Sequence, residues 1–343
     1  MHRFGPRGVG SVVVLLLVLL SPAAPDARAQ GLTDAHAQGL TVTKVATYTT
    51  PQAPEGVWID RDNNKYVTMA LTGEIQKVSP GGVQSTIATL PLGAPPGTFC
   101  FGFPAIIGNA YGDDRGNLFV GVHSCDPGSS GLWKVAIATG ASTKVASAPQ
   151  DALLNGTVVD GATVLVTDSF YDVVWQAPAG GTGQPLAVWK DDPLFKVPAG
   201  APFPGPNGIA IFHGAAYVAV SDTALIVKVP ILPDGSAGQA SVYAQLSVGC
   251  DDFSFDVVGN IYCTSDPFET VSRISPAGVE TVLLTASDGL DGPTATYFGF
   301  GGEGRTLYIT NGAFPFFPST GNGPSLLKVQ LGVPGYHFPQ PDD

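Results

Sequence analysis

One short phrase recurs six times between Pro54 and Asn311, and this repetition limits the folds open to the chain more than any other feature. Each copy has a polar residue, a short apolar run, a turn of the Asp-Gly type and a second, β-rich run. Counted from the polar residues, the copies begin 40 to 54 residues apart, the repeat length of a propeller blade. These residues are Glu55, Asn109, Asn155, Asn207, Asp251 and Asp291.

Each copy predicts four strands. In the first copy they are Gly56 to Ile59, Lys65 to Ala70, Glu74 to Val78 and Val83 to Leu90, with a turn at Asp62 to Asn64. The third strand keeps an apolar and basic ending in most copies, as in EIQKV and LLKV. The sequence therefore predicts an all-β fold, a six-bladed β-propeller.

The sixth copy has no outer strand after Leu331. A matching strand stands at the other end of the chain, where Thr41 to Tyr48 (TVTKVATY) alternates as an outer strand does. We therefore expect the N-terminal strand of the mature chain to close the last blade, because closure removes exposed sheet edges. The predicted domain is a single propeller over residues 41–335, followed by a tail at 336–343. The alternatives are a solenoid or an open pair of β-sandwiches.

The first 29 residues have the pattern of an export signal. Arg3 and Arg7 give a basic start, and Val12 to Leu20 is an apolar run too short to span a bilayer. A small-x-small cleavage pattern ends at Ala29, and a second one ends at Ala37. We expect an exported protein, periplasmic or secreted, without stable membrane insertion after signal removal. An uncleaved membrane anchor is the alternative.

The composition excludes some partners. The net charge is -12, which disfavours nucleic acid because phosphate binding needs a basic surface. Only 13% of residues are charged, whereas glycine and proline number 44 and 30, as expected of many strands and tight turns. We expect a monomer that binds a small molecule.

Four cysteines fit an oxidising compartment. Cys250 and Cys263 flank one predicted hairpin, and Cys100 and Cys125 flank another, so we predict these two local disulfides. Four buried free thiols are the alternative. The CxxC spacing of zinc and redox sites is absent.

The opening residues of the copies form a candidate cation site. In a propeller the inner strands line the central channel, so residues that begin these strands converge on one opening. Carboxylate and amide oxygens without sulfur or imidazole suit Ca²⁺ or Mg²⁺ better than zinc. The five converging residues are Glu55, Asn109, Asn155, Asn207 and Asp251.

Four phrases carry a resemblance to a known family. They are PEGVW at 54–58, PNGI at 206–209, DDFSFD at 251–256 and LYITN at 307–311. In the order and blade positions of these four phrases, the chain resembles the senescence marker protein/gluconolactonase family (luciferin-regenerating-enzyme-like) of six-bladed propellers, and more distantly the paraoxonases. The resemblance covers nearly all of the mature chain.

This resemblance implies a divalent cation, with Ca²⁺ the first choice, held by Glu55, Asn207 and Asp251 with Asn155 nearby. The implied reaction is metal-dependent hydrolysis of a lactone or related ester, with Asp251 drawing a proton from the attacking water. Further candidates for substrate contacts are Asn109, His123 and Asp252.

Two observations bear on the substrate and the function class. Asn155 follows Ala152-Leu153-Leu154 and has no neighbouring arginine to bind a sugar acid. The blade connections are rich in phenylalanine, as at 314–317 (FPFF), which favours a hydrophobic lactone or ester. The alternatives are a non-catalytic propeller of the NHL type that binds a ligand or protein, and a structural cell-envelope protein. The GxSxG, HExxH and P-loop patterns are absent.

Overall fold

The computed structural model describes residues 39–113 and 115–338. Six antiparallel sheets follow one another along the chain, and each inner strand packs against the inner strands of both neighbouring sheets. The inner strands of blades one and six are in contact, so the ring is closed. The prediction of a six-bladed β-propeller is confirmed.

The strands of each blade run from the axis outward. The inner strands, in blade order, are Pro54–Ile59, Ile106–Asp113, Leu154–Asp160, Pro206–Phe212, Phe253–Phe255 and Pro293–Phe298. The second strands are Lys65–Met69, Asn117–His123, Thr163–Asp168, Ala215–Val220, Ile261–Ser265 and Thr306–Asn311. The third strands are Glu74–Val78, Gly131–Ala136, Val173–Pro178, Leu225–Pro230, Thr270–Ile274 and Ser325–Gln330.

The outer strands are Gln84–Thr89, Ser142–Ser147, Ala187–Asp191, Ser241–Gln245, Glu280–Leu284 and Val42–Thr47. Two short strands, Phe99–Cys100 and Phe103–Pro104, form a hairpin between blades one and two, and Gln184–Pro185 pairs with the outer strand of blade two. Single turns of 3₁₀-helix are Pro193–Phe195, Asp266–Phe268, Ala286–Asp288 and Gly301–Glu303.

The outer strand of blade six comes from the beginning of the described chain. Val42–Thr47 pairs antiparallel with Ser325–Gln330, and Val42 lies opposite Val329. The fourth place in that sheet is thus filled by a strand from the other end of the sequence. The predicted signal at 1–29 lies outside the described residues, as does the tail beyond residue 338. Within the described ranges, no helix is long and apolar enough to cross a membrane.

The core is divided into clusters that lie between neighbouring blades. Val158 and Leu165 of blade three pack with Ile209 and Val218 of blade four, and all four are at most 4% exposed. Complete burial of such a side chain contributes about 2 kcal/mol. Because every blade depends on the next for this burial, the ring holds the channel residues in fixed relative positions.

Both predicted disulfides are present. Cys100–Cys125 links the hairpin between blades one and two to the end of the second strand of blade two. Cys250–Cys263 links the segment that leads into the inner strand of blade five to the second strand of that blade. The second bridge therefore anchors the chain directly before Asp251.

Candidate cation site

The inner strands carry a β-bulge near their start in five blades. Two inner-strand residues there oppose a single residue of the second strand, which turns side chains toward the axis. The bulges lie between Pro54 and Val57, Ile107 and Ala110, Leu154 and Thr157, Pro206 and Ile209, and Pro293 and Thr296.

Threonines of the second strands hold the bulges of blades one, three and six. The Thr167 hydroxyl accepts a hydrogen bond from the Gly156 N–H at 2.9 Å and donates to the Asn207 carbonyl of the next blade. Thr310 closes the ring in the same way, since its hydroxyl donates to the Glu55 carbonyl at 3.3 Å. The backbones that carry the candidate site are therefore fixed by hydrogen bonds between blades.

Four predicted ligands line one cavity of about 110 Å³ at the axis. Glu55, Asn155 and Asn207 are the first bulge residues of blades one, three and four. Asp251 reaches the same cavity from the segment before the inner strand of blade five, and Asp266 lines it as well. The structure thus brings together Glu55, Asn155, Asn207 and Asp251.

Serines hold the two asparagine amides. Asn207 Nδ2 donates to Ser221 Oγ at 3.1 Å, and Ser221 Oγ donates to the Cys250 carbonyl at 2.7 Å. Asn155 Nδ2 lies 3.5 Å from Ser169 Oγ, which donates to the Pro206 carbonyl at 2.7 Å. Each amide nitrogen is therefore engaged by a serine.

The donor set fits a hard cation. Asn207 Oδ1 is buried and has no hydrogen-bond partner among the described residues, and its side chain lines the cavity. No three His, Cys, Asp or Glu side chains in the described ranges form a metal-binding group by themselves. A cation here would need the amide oxygens beside the carboxylates, which is the oxygen-only chemistry of Ca²⁺.

Burial and like charge perturb the carboxylates. Burial, followed by the charges of Asp266 and Asp252, raises the pKa of Glu55 to about 8. Burial and then the Glu55 charge raise the pKa of Asp251 well above its usual range. Burial, followed by the charge of Glu269, raises the pKa of Asp266 to about 7. Among the described residues no Lys, Arg or His side chain lines the cavity, so a cation or protons must balance these charges.

Most of the other residues that line the cavity are apolar. Phe203 and Phe268 face each other with ring centroids 5.8 Å apart, and Phe314 stacks on Phe316 at 4.9 Å. The remaining apolar wall residues are Phe103, Ile106, Pro202, Pro204, Pro267 and Phe317. The phenylalanines at 314–317 therefore lie at the candidate site, whereas Phe298 is packed in the core between blades.

Asn109 does not occupy the position predicted for it. The bulge of blade two consists of Gly108 and Asn109, so Asn109 corresponds to Gly56 and not to Glu55. Its Nδ2 donates to Asp252 Oδ2 of the opposite blade. Asn109 and Asp252 are thus hydrogen-bonded across the channel. Together with Gly56 they form a layer one residue further along the chain than the residues that line the cavity.

His123 and Asp291 are also placed outside the cavity lining. The His123 ring is buried, with Nδ1 2.7 Å from the Ala152 carbonyl oxygen and Nε2 3.0 Å from that of Cys100. Asp291 accepts hydrogen bonds from the backbone N–H groups of Thr320 and Gly323 and organises a loop. In blade six the bulge position equivalent to Glu55 is Thr294.

Asp266 is the site residue that sequence reasoning missed. It begins the 3₁₀ turn after the second strand of blade five, in the sequence DPFE, and not at the start of an inner strand. The sequence signal that could have identified Asp266 was an acidic residue directly at the end of a second strand. The serine that follows the second strand in blades three and four, Ser169 and Ser221, was a further signal.

Known proteins resemble the chain in structure. No family model and no curated protein matches the sequence. A luciferin-regenerating enzyme superposes with a TM-score of 0.65 at 13% identity, over 88% of this chain and 99% of that one. Regucalcin, a calcium-binding protein from Agrobacterium tumefaciens, gives 0.63 at 14% identity, over 88% and 97%. A gluconolactonase from Xanthomonas campestris gives 0.60 at 14% identity, over 86% and 90%.

The chain has the fold of these three proteins. This confirms the resemblance to gluconolactonase-like propellers at the level of the fold.

Proposed function

We propose that the protein is an exported, divalent-cation-dependent hydrolase that acts on an apolar lactone or ester, with Ca²⁺ as the preferred ion. One observation carries the proposal. Buried carboxylates and an unpartnered amide oxygen line one cavity, and among the described residues no basic side chain lines it.

Glu55, Asn155, Asn207 and Asp251 would hold the ion. A divalent cation at this place supplies a Lewis acid for a carbonyl oxygen. The Asp251 carboxylate would accept the proton of the attacking water and return it to the leaving alkoxide, and Glu55 would contribute the second ligand carboxylate. The phenylalanine walls exclude bulk water, which strengthens every electrostatic interaction within the cavity.

The same walls support an apolar substrate. A sugar acid would find no basic side chain among the described lining residues, most of which are apolar. An alkyl or aryl group between Phe203, Phe268 and Phe316 would bury apolar area, at about 25 cal/mol per Å². The ester or lactone carbonyl would then face the oxygen cluster.

Export is supported by two lines of observation. The sequence begins with the pattern of a signal peptide, and both pairs of cysteines form disulfides. Disulfides persist in the periplasm and outside the cell but are rare in a reducing cytosol.

The proposal is tested by hydrolysis assays on the purified mature protein, with Ca²⁺ or with chelator. The substrates are a long-chain alkyl lactone, an aryl ester and a sugar lactone. We expect turnover of the apolar substrates in Ca²⁺, loss of turnover in chelator, and a loss of about 100-fold or more in Asp251→Asn. The matched control is Asp62→Asn, which changes an exposed aspartate on a hairpin turn and should retain activity.

Absence of turnover across the panel, together with cation binding, would contradict the hydrolase and leave the non-catalytic ligand-binding propeller. Preference for the sugar lactone would contradict the apolar substrate.

A further inference from the structure

We propose that Ser169 and Ser221 are positioning residues that determine which end of the Asn155 and Asn207 amides faces the cavity. The inference rests on the proposed cation site, since it concerns the orientation of two of its ligands. It assigns a role to two serines that themselves need not touch the ion.

The Ser221 hydroxyl has a single proton to donate. Ser221 Oγ lies 2.7 Å from the Cys250 carbonyl oxygen, which can only accept, so the hydroxyl proton is used there. Toward Asn207 the hydroxyl then offers only a lone pair. The Asn207 NH₂ group fills that place at 3.1 Å, and Oδ1 must point the other way.

The consequence is visible at Asn207 Oδ1. This oxygen is buried and has no hydrogen-bond partner among the described residues, although the side chain lines the cavity. An unsatisfied buried acceptor destabilises the folded state as long as no ion binds it. Rotation of the amide would put NH₂ hydrogens where a cation needs an oxygen, so the serine preserves an arrangement that favours the ion.

Blade three repeats the arrangement. Ser169 Oγ donates to the Pro206 carbonyl at 2.7 Å and lies 3.5 Å from Asn155 Nδ2. Ser169 and Ser221 both directly follow the second strand of their blades, and both are at most 8% exposed. In each case the carbonyl that accepts the serine proton belongs to the residue before the next blade's candidate ligand.

Through these hydrogen bonds the two serines link the candidate ligands of blades three, four and five. The serine beside Asn155 is bonded to the residue before Asn207, and the serine beside Asn207 is bonded to the residue before Asp251. A change at either serine therefore alters one amide directly and the neighbouring ligand through its backbone.

Blade six provides a matched control. Asn311 Nδ2 donates to Ser325 Oγ at 3.3 Å, and both residues are fully buried, but neither lines the cavity. Ser325→Ala thus removes the same kind of hydrogen bond at a similar depth without touching the candidate site.

The test is a calorimetric titration of the purified mature protein with CaCl₂ at pH 8. We expect Ser221→Ala to weaken Ca²⁺ binding by about 10-fold or more, the usual effect of losing an outer partner of a metal ligand. Ser325→Ala should bind within about 2-fold of the wild type, while thermal unfolding shows similar destabilisation of both variants.

The Asn207→Asp background separates a positioning role of Ser221 from a packing role. A carboxylate has two equivalent oxygens and needs no orientation, so Ser221→Ala should change Ca²⁺ affinity by less than about 3-fold in the Asn207→Asp background. An equal loss in both backgrounds would overturn the inference, and so would unchanged affinity in Ser221→Ala alone. If the wild type binds no divalent cation, the proposed cation site falls as well. If the wild type binds and Ser221→Ala binds equally, only the positioning role falls.

Discussion

At the scale of single residues, close packing restricts which residue can stand beside a candidate ligand as much as chemistry restricts the ligand itself. The bulge places Gly56 directly after Glu55, and a Cβ added to Gly56 would lie 2.7 Å from the Asn109 Cα. The four candidate ligands at the axis were predictable because each opens a repeat, whereas Asp266 does not. The offset of Asn109 was not predictable, since a bulge shifts register by one residue without changing the repeat pattern.

Gly56→Ala should therefore destabilise the protein. Backbone of blade two occupies the space that the new methyl group needs, so we expect the free energy of unfolding to fall by about 2–3 kcal/mol, as for other overpacked sites. Gly180→Ala is the control, because a Cβ there meets no atom within 4 Å. Denaturant unfolding of both variants measures the difference. Equal stabilities would contradict close packing of the bulges.

At the scale of elements, regular strands were predictable and the irregular connections were not. The predicted third strand Glu74 to Val78 matches the structure, because alternation and turn residues define it locally. The 3₁₀ turn Asp266–Phe268 lies in a connection without periodicity, and its approach to the axis depends on the whole ring. The two disulfides were predictable because each joins residues that flank one hairpin.

The two disulfides should differ in effect on the site. Replacing either pair by serine should cost about 2–4 kcal/mol of stability. Only the Cys250→Ser/Cys263→Ser variant should also weaken Ca²⁺ binding, by several-fold, because Cys250 lines the cavity and its carbonyl accepts from Ser221. Cys100→Ser/Cys125→Ser is the control, and neither of its cysteines lines the cavity. Identical loss of Ca²⁺ affinity in both variants would contradict this assignment.

At the scale of the whole molecule, the ring concentrates acid at its axis. Blades one and five bring Glu55, Asp251, Asp252 and Asp266 into mutual electrostatic contact, in a protein whose net charge is already -12. Sequence reasoning predicted the convergence of Glu55 with Asp251. The repulsion between these carboxylates is strengthened by their burial and by Asp266. Neither could be seen before the ring was assembled.

The stability of the cation-free protein should fall as pH rises. The folded pKa of Glu55 is about 8, and those of Asp252 and Asp266 are about 7, all above their ordinary values. Between about pH 4 and pH 8 the folded state therefore keeps protons that the unfolded state releases, and this contribution is lost as pH increases through the folded pKa values.

Denaturant unfolding in chelator at pH 5, 6.5 and 8 measures this slope, and Glu55→Gln should flatten it. Saturating Ca²⁺ should reverse the trend, because ion binding gains as the carboxylates lose protons. A stability in chelator that is constant or rises over this range would contradict the buried-acid description.

The most direct test of the cation site is a calorimetric titration of the mature protein with CaCl₂ at pH 8, performed in two buffers of different ionisation enthalpy. We predict saturable binding of one ion per chain with release of protons, since the ion displaces protons from the raised-pKa carboxylates. Glu55→Gln should abolish binding while it unfolds in chelator at the same temperature or higher. Absence of saturable binding in the wild type, or undiminished binding in Glu55→Gln, would contradict a cation site at the propeller axis.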